Sequence, residues 1–187
     1  RSGLILAVLG TALLVGCAST SGPVVERPAP GGPEDGGGVR LVETRVNTYT
    51  DNSQYDPAIA ADSEGNLLVA WGSRRQEHGT FGVFAQRLNG HGEPLGTELH
   101  VNETVRGMQA DPAVAFAPDG TAWVVWTCDG QGDVRSAIMA RRYGLVDGRF
   151  QPLGGEFRVA ADDVATLARP SIAVDRDGRA LVAWSSG

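Results

Sequence analysis

Three sets of residues in this 187-residue chain have types and spacings that suit chemistry. The first is Cys17, a thiol that follows Gly16 and the apolar run Leu4–Val15. The second is Arg74, Arg75, Glu77 and His78, which gather cations, a carboxylate and an imidazole in one short stretch. The third is Asp129, Gln131, Asp133 and Arg135. Within it, Asp129-Gly130-Gln131-Gly132-Asp133 offers the carboxylate and carbonyl oxygens that calcium takes. Its ligand count is too small and the spacing does not recur, so a polar turn is the expectation, with calcium the alternative and no other cofactor. Asp175-Arg176-Asp177-Gly178 reads as hairpin-turn chemistry. His78, His91 and His100 are scattered and read as solvated. The chain has no Gly-x-Ser-x-Gly elbow, no His-Glu-x-x-His and no phosphate loop, so no catalytic residue is assigned.

The elements that carry these residues begin with an address. The apolar run is too short for a membrane-spanning helix, which needs about 20 residues, and suits the apolar region of a signal peptide. Leu14-Val15-Gly16-Cys17 resembles the lipobox of bacterial lipoproteins. That resemblance implies cleavage before Cys17 and acylation of its thiol and new amino group. Each buried CH₂ contributes about 0.8 kcal/mol, and two or more acyl chains hold a protein stably at a membrane. The expected location is the bacterial cell envelope, and Ala18 after the Cys favours the outer membrane. The chain starts at Arg1, so the beginning of the signal is expected upstream. Residues 1–16 are therefore the expected signal peptide and 17–40 the lipidated Cys with a flexible linker. Ala18–Gly38 is rich in Gly and Pro, cannot bury a core, and as a coil spans on the order of 25 Å. With Cys17 lipidated, Cys128 has no disulfide partner and reads as a small buried hydrophobe.

Composition excludes one class of partner. The net charge is -6 and all 16 basic residues are Arg. Phosphate contacts need clustered cations, so no nucleic-acid partner is expected. With 26 glycines the chain is rich in turns, against a long-helix architecture.

The body is a repeat. Pro57–Trp71, Pro112–Trp126 and Pro170–Trp184 align without gaps, 55 residues apart from Pro57 to Pro112 and 58 from Pro112 to Pro170. Ala85-Gln86-Arg87 aligns with Ala140-Arg141-Arg142. A closing tetrapeptide appears as Glu43-Thr44-Arg45-Val46, Glu98-Leu99-His100-Val101 and Glu156-Phe157-Arg158-Val159. Each unit predicts four strands. Ala58–Ala61 carries small residues, and Glu64-Gly65, Asp119-Gly120 or Asp177-Gly178 makes the tight turn. Leu67–Trp71 and Val83–Leu88 are apolar on both faces, as in a sheet covered on both sides. The closing strand alternates, with Leu99 and Val101 inward and Glu98 and His100 outward. Small inner strands, buried middle strands and a polar edge predict an all-β, partial β-propeller of four-stranded antiparallel blades. A β-sandwich is the structural alternative.

The repeat resembles a tandem unit of large secreted bacterial proteins, including RTX-type adhesins, through Gln54, Pro57, Gly65, Trp71, Gly82, Ala85, Gln86, Arg87, Gly92, Gly96, Glu98, Val101 and Asn102. The third copy departs from it with Leu167 for Gln, and Ala160 stands for Asn. The resemblance implies a propeller-like extracytoplasmic module. The Asp box of sialidase-type propellers is absent: two before Gly65, Gly120 and Gly178 stand Ser63, Pro118 and Arg176. The expected organisation is an incomplete propeller over 41–187, with a strand at 41–46, blades at 57–101 and 112–159 and a partial blade at 170–187. Further blades in a longer protein are expected to complete the ring.

Residues that recur in every blade read as structural, which places Trp71, Trp126, Trp184, Arg87, Arg142, Glu98 and Glu156 in packing roles. Function is expected in the loops that differ, Arg74 to His78 and Asp129 to Arg135. The leading expectation is a non-catalytic, membrane-tethered module that binds a protein or glycan at the cell surface or in the periplasm. The alternatives are an envelope hydrolase with catalytic residues in further blades, and a scaffold of an envelope assembly.

Overall fold

The computed structural model describes residues 3–9, 12–18, 27–28, 40–76, 81–130, 135–162 and 164–187. All its regular elements are β-strands, and no helix among the described residues is long and apolar enough to cross a membrane. In chain order they are β1 (Gly3–Leu9), β2 (Ala12–Ala18), β3 (Arg27–Pro28) and β4 (Arg40–Arg45), then β5 (Gln54–Ala61), β6 (Leu67–Arg74), β7 (Phe81–Leu88) and β8 (Leu99–His100). There follow β9 (Met108–Phe116), β10 (Ala122–Asp129), β11 (Ser136–Val146), β12 (Arg149–Pro152), β13 (Phe157–Asp162), β14 (Leu167–Val174) and β15 (Ala180–Ser186).

The chain is an all-β partial propeller. β5 to β8 form one antiparallel blade, and β9 to β11 with β12 and β13 form the next. The two are joined at a single parallel pair, Phe81 with Met108. β14 and β15 are the inner hairpin of a third unit. The inner strands β5, β9 and β14 stand side by side, as they do around a propeller axis. Each blade opens with a hairpin whose Gly sits at positive φ: Gly65 at 82°, Gly120 at 80° and Gly178 at 80°. In the first, Asp62 Oδ1 accepts the N–H groups of Glu64 and Asn66, and in the third Asp175 Oδ1 accepts those of Asp177 and Arg179. The Asp175 to Gly178 stretch is thus a turn, as its sequence predicts.

The two faces of each middle strand belong to different cores. Leu68 and Ala70 of β6 meet Ala122, Val124, Trp126 and Cys128 of β10 between the blades. Leu67, Val69 and Trp71 face the other way, onto Val46, Phe84 and Leu88. Trp71 and Trp126 are fully buried, as expected of residues that recur in packing positions. Removing either side chain to Ala would cost about 3–5 kcal/mol. Trp184 departs from that expectation at 41 % exposed, because β15 has no third strand beside it among the described residues.

The outer position also differs from the sequence reading. The predicted strand over Glu98 to Val101 is only two residues long, because the Asn102 side chain takes over the ladder: its Oδ1 accepts the Val83 N–H at 2.8 Å. Ala160 cannot do this, and β13 runs on for six residues. The fourth position of the second blade is split, with β12 pairing the far half of the long β11 and β13 the near half.

At the amino end β1 pairs with β2 and with β4, Ile5 opposite Arg45 and Leu9 opposite Leu41. An apolar run without polar alternation reads equally as strand or buried helix, and here it is extended. Within the expected linker, Arg27 and Pro28 pair with Leu41 and Arg40 at a sheet edge, where Pro is tolerated. The expected strand at 41–46 is β4 followed by buried Val46.

Candidate functional site

The propeller end where the inner strands begin collects the residues that differ between blades. Gln54 is opposite Ser73, Met108 opposite Asp129 and Leu167 opposite Ser186, so each inner-strand start lies beside the end of its middle strand. The loops after β6 and β10 therefore share this end with Asp56, Asp111 and Arg169. Those three residues precede Pro57, Pro112 and Pro170 and occupy equivalent places in the repeat. All three are left-handed, with φ of 49°, 49° and 52°, beside irregularities in the strand register. A left-handed non-glycine residue costs on the order of 1 kcal/mol. The fold holds three of them at one level around the axis.

Their charges interact. Asp56 sits above the ordinary carboxylate range because burial disfavours its charged form; the Asp111 charge and a hydrogen bond to the Asp111 carboxyl add to this, and Arg169 opposes it. The two carboxyl groups are thus close neighbours whose charges oppose one another. The Arg169 N–H reaches Asp111 Oδ2 at 3.4 Å. Tyr55 lies next to this pair. Burial, then the charges of Asp56 and Asp111, push its phenol up, keeping it protonated. The Tyr55 ring meets Phe81 edge-on at 5.5 Å and fills the space over Gly72, where a Cβ would come 2.7 Å from the ring. The arrangement places two neighbouring carboxyl groups and a guanidinium around one axis, beside a buried phenol. The carboxyl groups and the guanidinium can hydrogen-bond a polyhydroxylated or polar ligand, and paired carboxyl groups are a form that proton-transfer chemistry uses.

The predicted loop residues divide. Arg74 is exposed and lies over the Phe81 ring at 5.7 Å. Arg75 is exposed, left-handed at φ 61°, and its carbonyl accepts the Tyr49 hydroxyl. Both remain at the candidate face. Asp129 and Arg135 are instead held by their own fold. Asp129 Oδ1 is 2.6 Å from the buried Ser136 hydroxyl, which also accepts the Leu167 N–H. Arg135 donates to the Val164 carbonyl at 3.1 Å. These contacts link the second blade to β14 and the segment that leads into it. Glu77, His78, Gln131 and Asp133 lie outside the described residues. Among the described residues no group of three or more His, Cys, Asp or Glu side chains is placed to hold a metal ion. His91 is exposed, whereas the exposed His100 stacks on Phe84 at 4.9 Å rather than standing free in solvent.

Recurrent residues behave as the repeat implies. Arg87 Nη2 pairs with Asp62 at 3.1 Å, and Arg142 lies over Trp123 at 5.1 Å. The carboxyl of Asp62 is held below the ordinary range. Burial alone would raise it, but hydrogen bonds from Asn66, Arg87 and the Glu64 N–H outweigh that. Gln109 of the Gln-x-x-Pro motif accepts the Trp126 indole N–H at 2.9 Å and donates to the Arg106 carbonyl. The Asp56–Asp111–Arg169 grouping is not visible when the copies are aligned from their prolines onward. The signal lay one residue earlier, where the chemistry changes from Asp to Asp to Arg.

No family model matches the chain, and no curated protein matches it. Among solved structures it is similar to a Hadza microbial sialidase, at 14% identity and TM-score 0.48, over 71% of this chain and 35% of that one. It is similar to a Bacillus subtilis arabinanase at 16% identity and TM-score 0.47, over 72% of this chain and 49% of that one. It is also similar to an endo-arabinase from Bacteroides thetaiotaomicron at 18% identity and TM-score 0.47, over 76% of this chain and 56% of that one. The chain thus spans from about a third to just over half of the length of these structures.

Proposed function

We propose that this chain belongs to a lipid-anchored protein of the bacterial cell envelope whose propeller captures a glycan or protein ligand without transforming it. The observation that carries the binding role is the convergence of Asp56, Asp111 and Arg169 at equivalent left-handed positions of three successive blades. Packing alone gives no reason to keep three charged, strained residues at one axis. Arg74 and Arg75 at the same end extend the candidate surface.

The anchoring role rests on Leu14-Val15-Gly16-Cys17. Cleavage before Cys17 would remove β1 and most of β2, and with them the strand that pairs with β4. Labelled palmitate fed to an expressing Gram-negative host should enter the protein, and Cys17→Ser should abolish incorporation. Incorporation unchanged in that variant would overturn the anchor.

Ligand capture is tested with purified peptidoglycan sacculi and a glycan array as probes. Asp111→Asn and Arg169→Gln should each reduce capture at least tenfold with little change in melting temperature. Capture unaffected by both would sink the binding role of this face. A second reading, an envelope hydrolase, is favoured by the neighbouring carboxyl groups of Asp56 and Asp111. It requires turnover of a glycoside substrate that Asp56→Asn and Asp111→Asn abolish while capture persists.

A further inference from the structure

The second repeat is longer than the first, and the difference is local. Arg87 to Leu95 is 8 residues, whereas Arg142 to Leu153 is 11. The added length lies within the stretch that forms the β11–β12 hairpin, which turns at Asp147 and Gly148 with φ of 51° and 75°. Its tip reaches over the first blade. Between this hairpin and the loop after β7 lies a groove of about 590 Å³, within the range of small-molecule sites.

The groove has a fixed floor. The Arg87 guanidinium is held by Asp62 at 3.1 Å and lies over the Phe150 ring at 5.3 Å, and Phe150 stacks with the buried Tyr143 at 5.9 Å. Its walls include Leu95, Leu99 and Leu145. Leu145 is 56 % exposed, an apolar side chain left open at the groove. Arg149 also lines it and is exposed, and its side chain has no ion pair or hydrogen bond among the described residues. Among the described residues no Asp or Glu lines the groove, in a chain of net charge -6. Arg87 is already neutralised by Asp62, so Arg149 is the uncommitted cation.

We infer that this inter-blade groove is a binding site for a small amphipathic monocarboxylate, with its apolar body against Leu95, Leu99 and Leu145 and its carboxylate on Arg149. A guanidinium pairs with a carboxylate through two parallel N–H donors, and apolar contact supplies the remainder at about 25 cal/mol per Å². The site is separate from the axial face, so it stands whether or not that face binds a ligand.

The test uses octanoate as probe and octanol as its neutral counterpart, with the full chain, by isothermal titration and by amide chemical-shift changes. Octanoate should bind in the millimolar range or tighter, with shifts at Gly96, Gly148 and Phe150. Octanol should bind at least fivefold more weakly. Arg149→Gln should weaken octanoate at least fivefold and leave the octanol signal unchanged. Leu145→Asp should abolish both without lowering the melting temperature. Octanoate that does not bind at 10 mM, binds no better than octanol, or binds Arg149→Gln equally well would each overturn the inference.

Discussion

Glu98 Oε2 accepts both the backbone N–H of Thr48, at 2.8 Å, and the Thr48 hydroxyl, at 2.9 Å, from 50 residues further along the chain. The second blade repeats the contact. Glu156 accepts the N–H of Glu103 at 2.7 Å and both the N–H and the hydroxyl of Thr104. The glutamates of the second and third closing tetrapeptides thus clasp the segment that leaves the preceding outer strand. That explains why the Glu recurs and why the strand ending in Val46 sits on the first blade as the segment ending in Val101 sits on the second. Hydrogen bonds to a charged group contribute about 1.5–3 kcal/mol when protected, and less when partly exposed. Glu156→Ala should therefore lower unfolding free energy by about 1–2 kcal/mol in urea, with Glu156→Gln intermediate. A loss below about 0.3 kcal/mol would show that the clasp is only incidental.

Gly107 is a second junction between consecutive loops. Its φ is 82°, and a Cβ there would stand 1.9 Å from the Asp129 carbonyl oxygen. Backbone cannot yield as a flexible side chain does, so Gly107→Ala combines strain at positive φ with a clash. It should destabilise by about 2 kcal/mol or more in thermal and urea melts, whereas Gly154→Ala, with open space around it, should be near neutral.

The acid pair at the axis predicts a pH dependence. Asp56 binds its proton more tightly folded than unfolded, because burial and Asp111 raise it. In the window just above the ordinary carboxylate value of about 4, the folded state then carries more protons than the unfolded state. Stability must fall as pH rises through that window, and the penalty persists at neutral pH. Asp56→Asn should raise the melting temperature at pH 7 and flatten this part of the pH profile. A variant less stable than wild type at pH 7 would contradict the repulsion on which the argument rests.

Cys128 is fully buried, and burial pushes its thiol up to about 11, against a small opposing effect from Gln109. The thiolate is the reactive form. In a Cys17→Ser background, iodoacetamide at pH 8 should leave native protein unlabelled over an hour and label it fully in urea. Rapid native labelling would mean that the interface between the blades opens.

Much of the architecture is written locally. The run Leu67–Trp71, apolar on both faces, small residues before Gly65, Gly120 and Gly178, and the recurring Trp are short-range patterns. They set strand, turn and face whatever the rest of the chain does, because side chains alternate across a strand and Gly alone enters positive φ freely. The Asn102 to Ala160 change was visible too, though not its consequence, a short outer strand in one blade and a long one in the next. What sequence could not supply is who meets whom across blades. Asp56, Asp111 and Arg169 lie more than fifty positions apart and become neighbours only because packed blades bring equivalent positions to one axis. The same packing commits Asp129 to Ser136, and it brings Arg149 and Leu145 over the first blade. The pattern along a strand records which face is buried; only the stacking of one blade on the next decides which residues that face, edge and loop will touch.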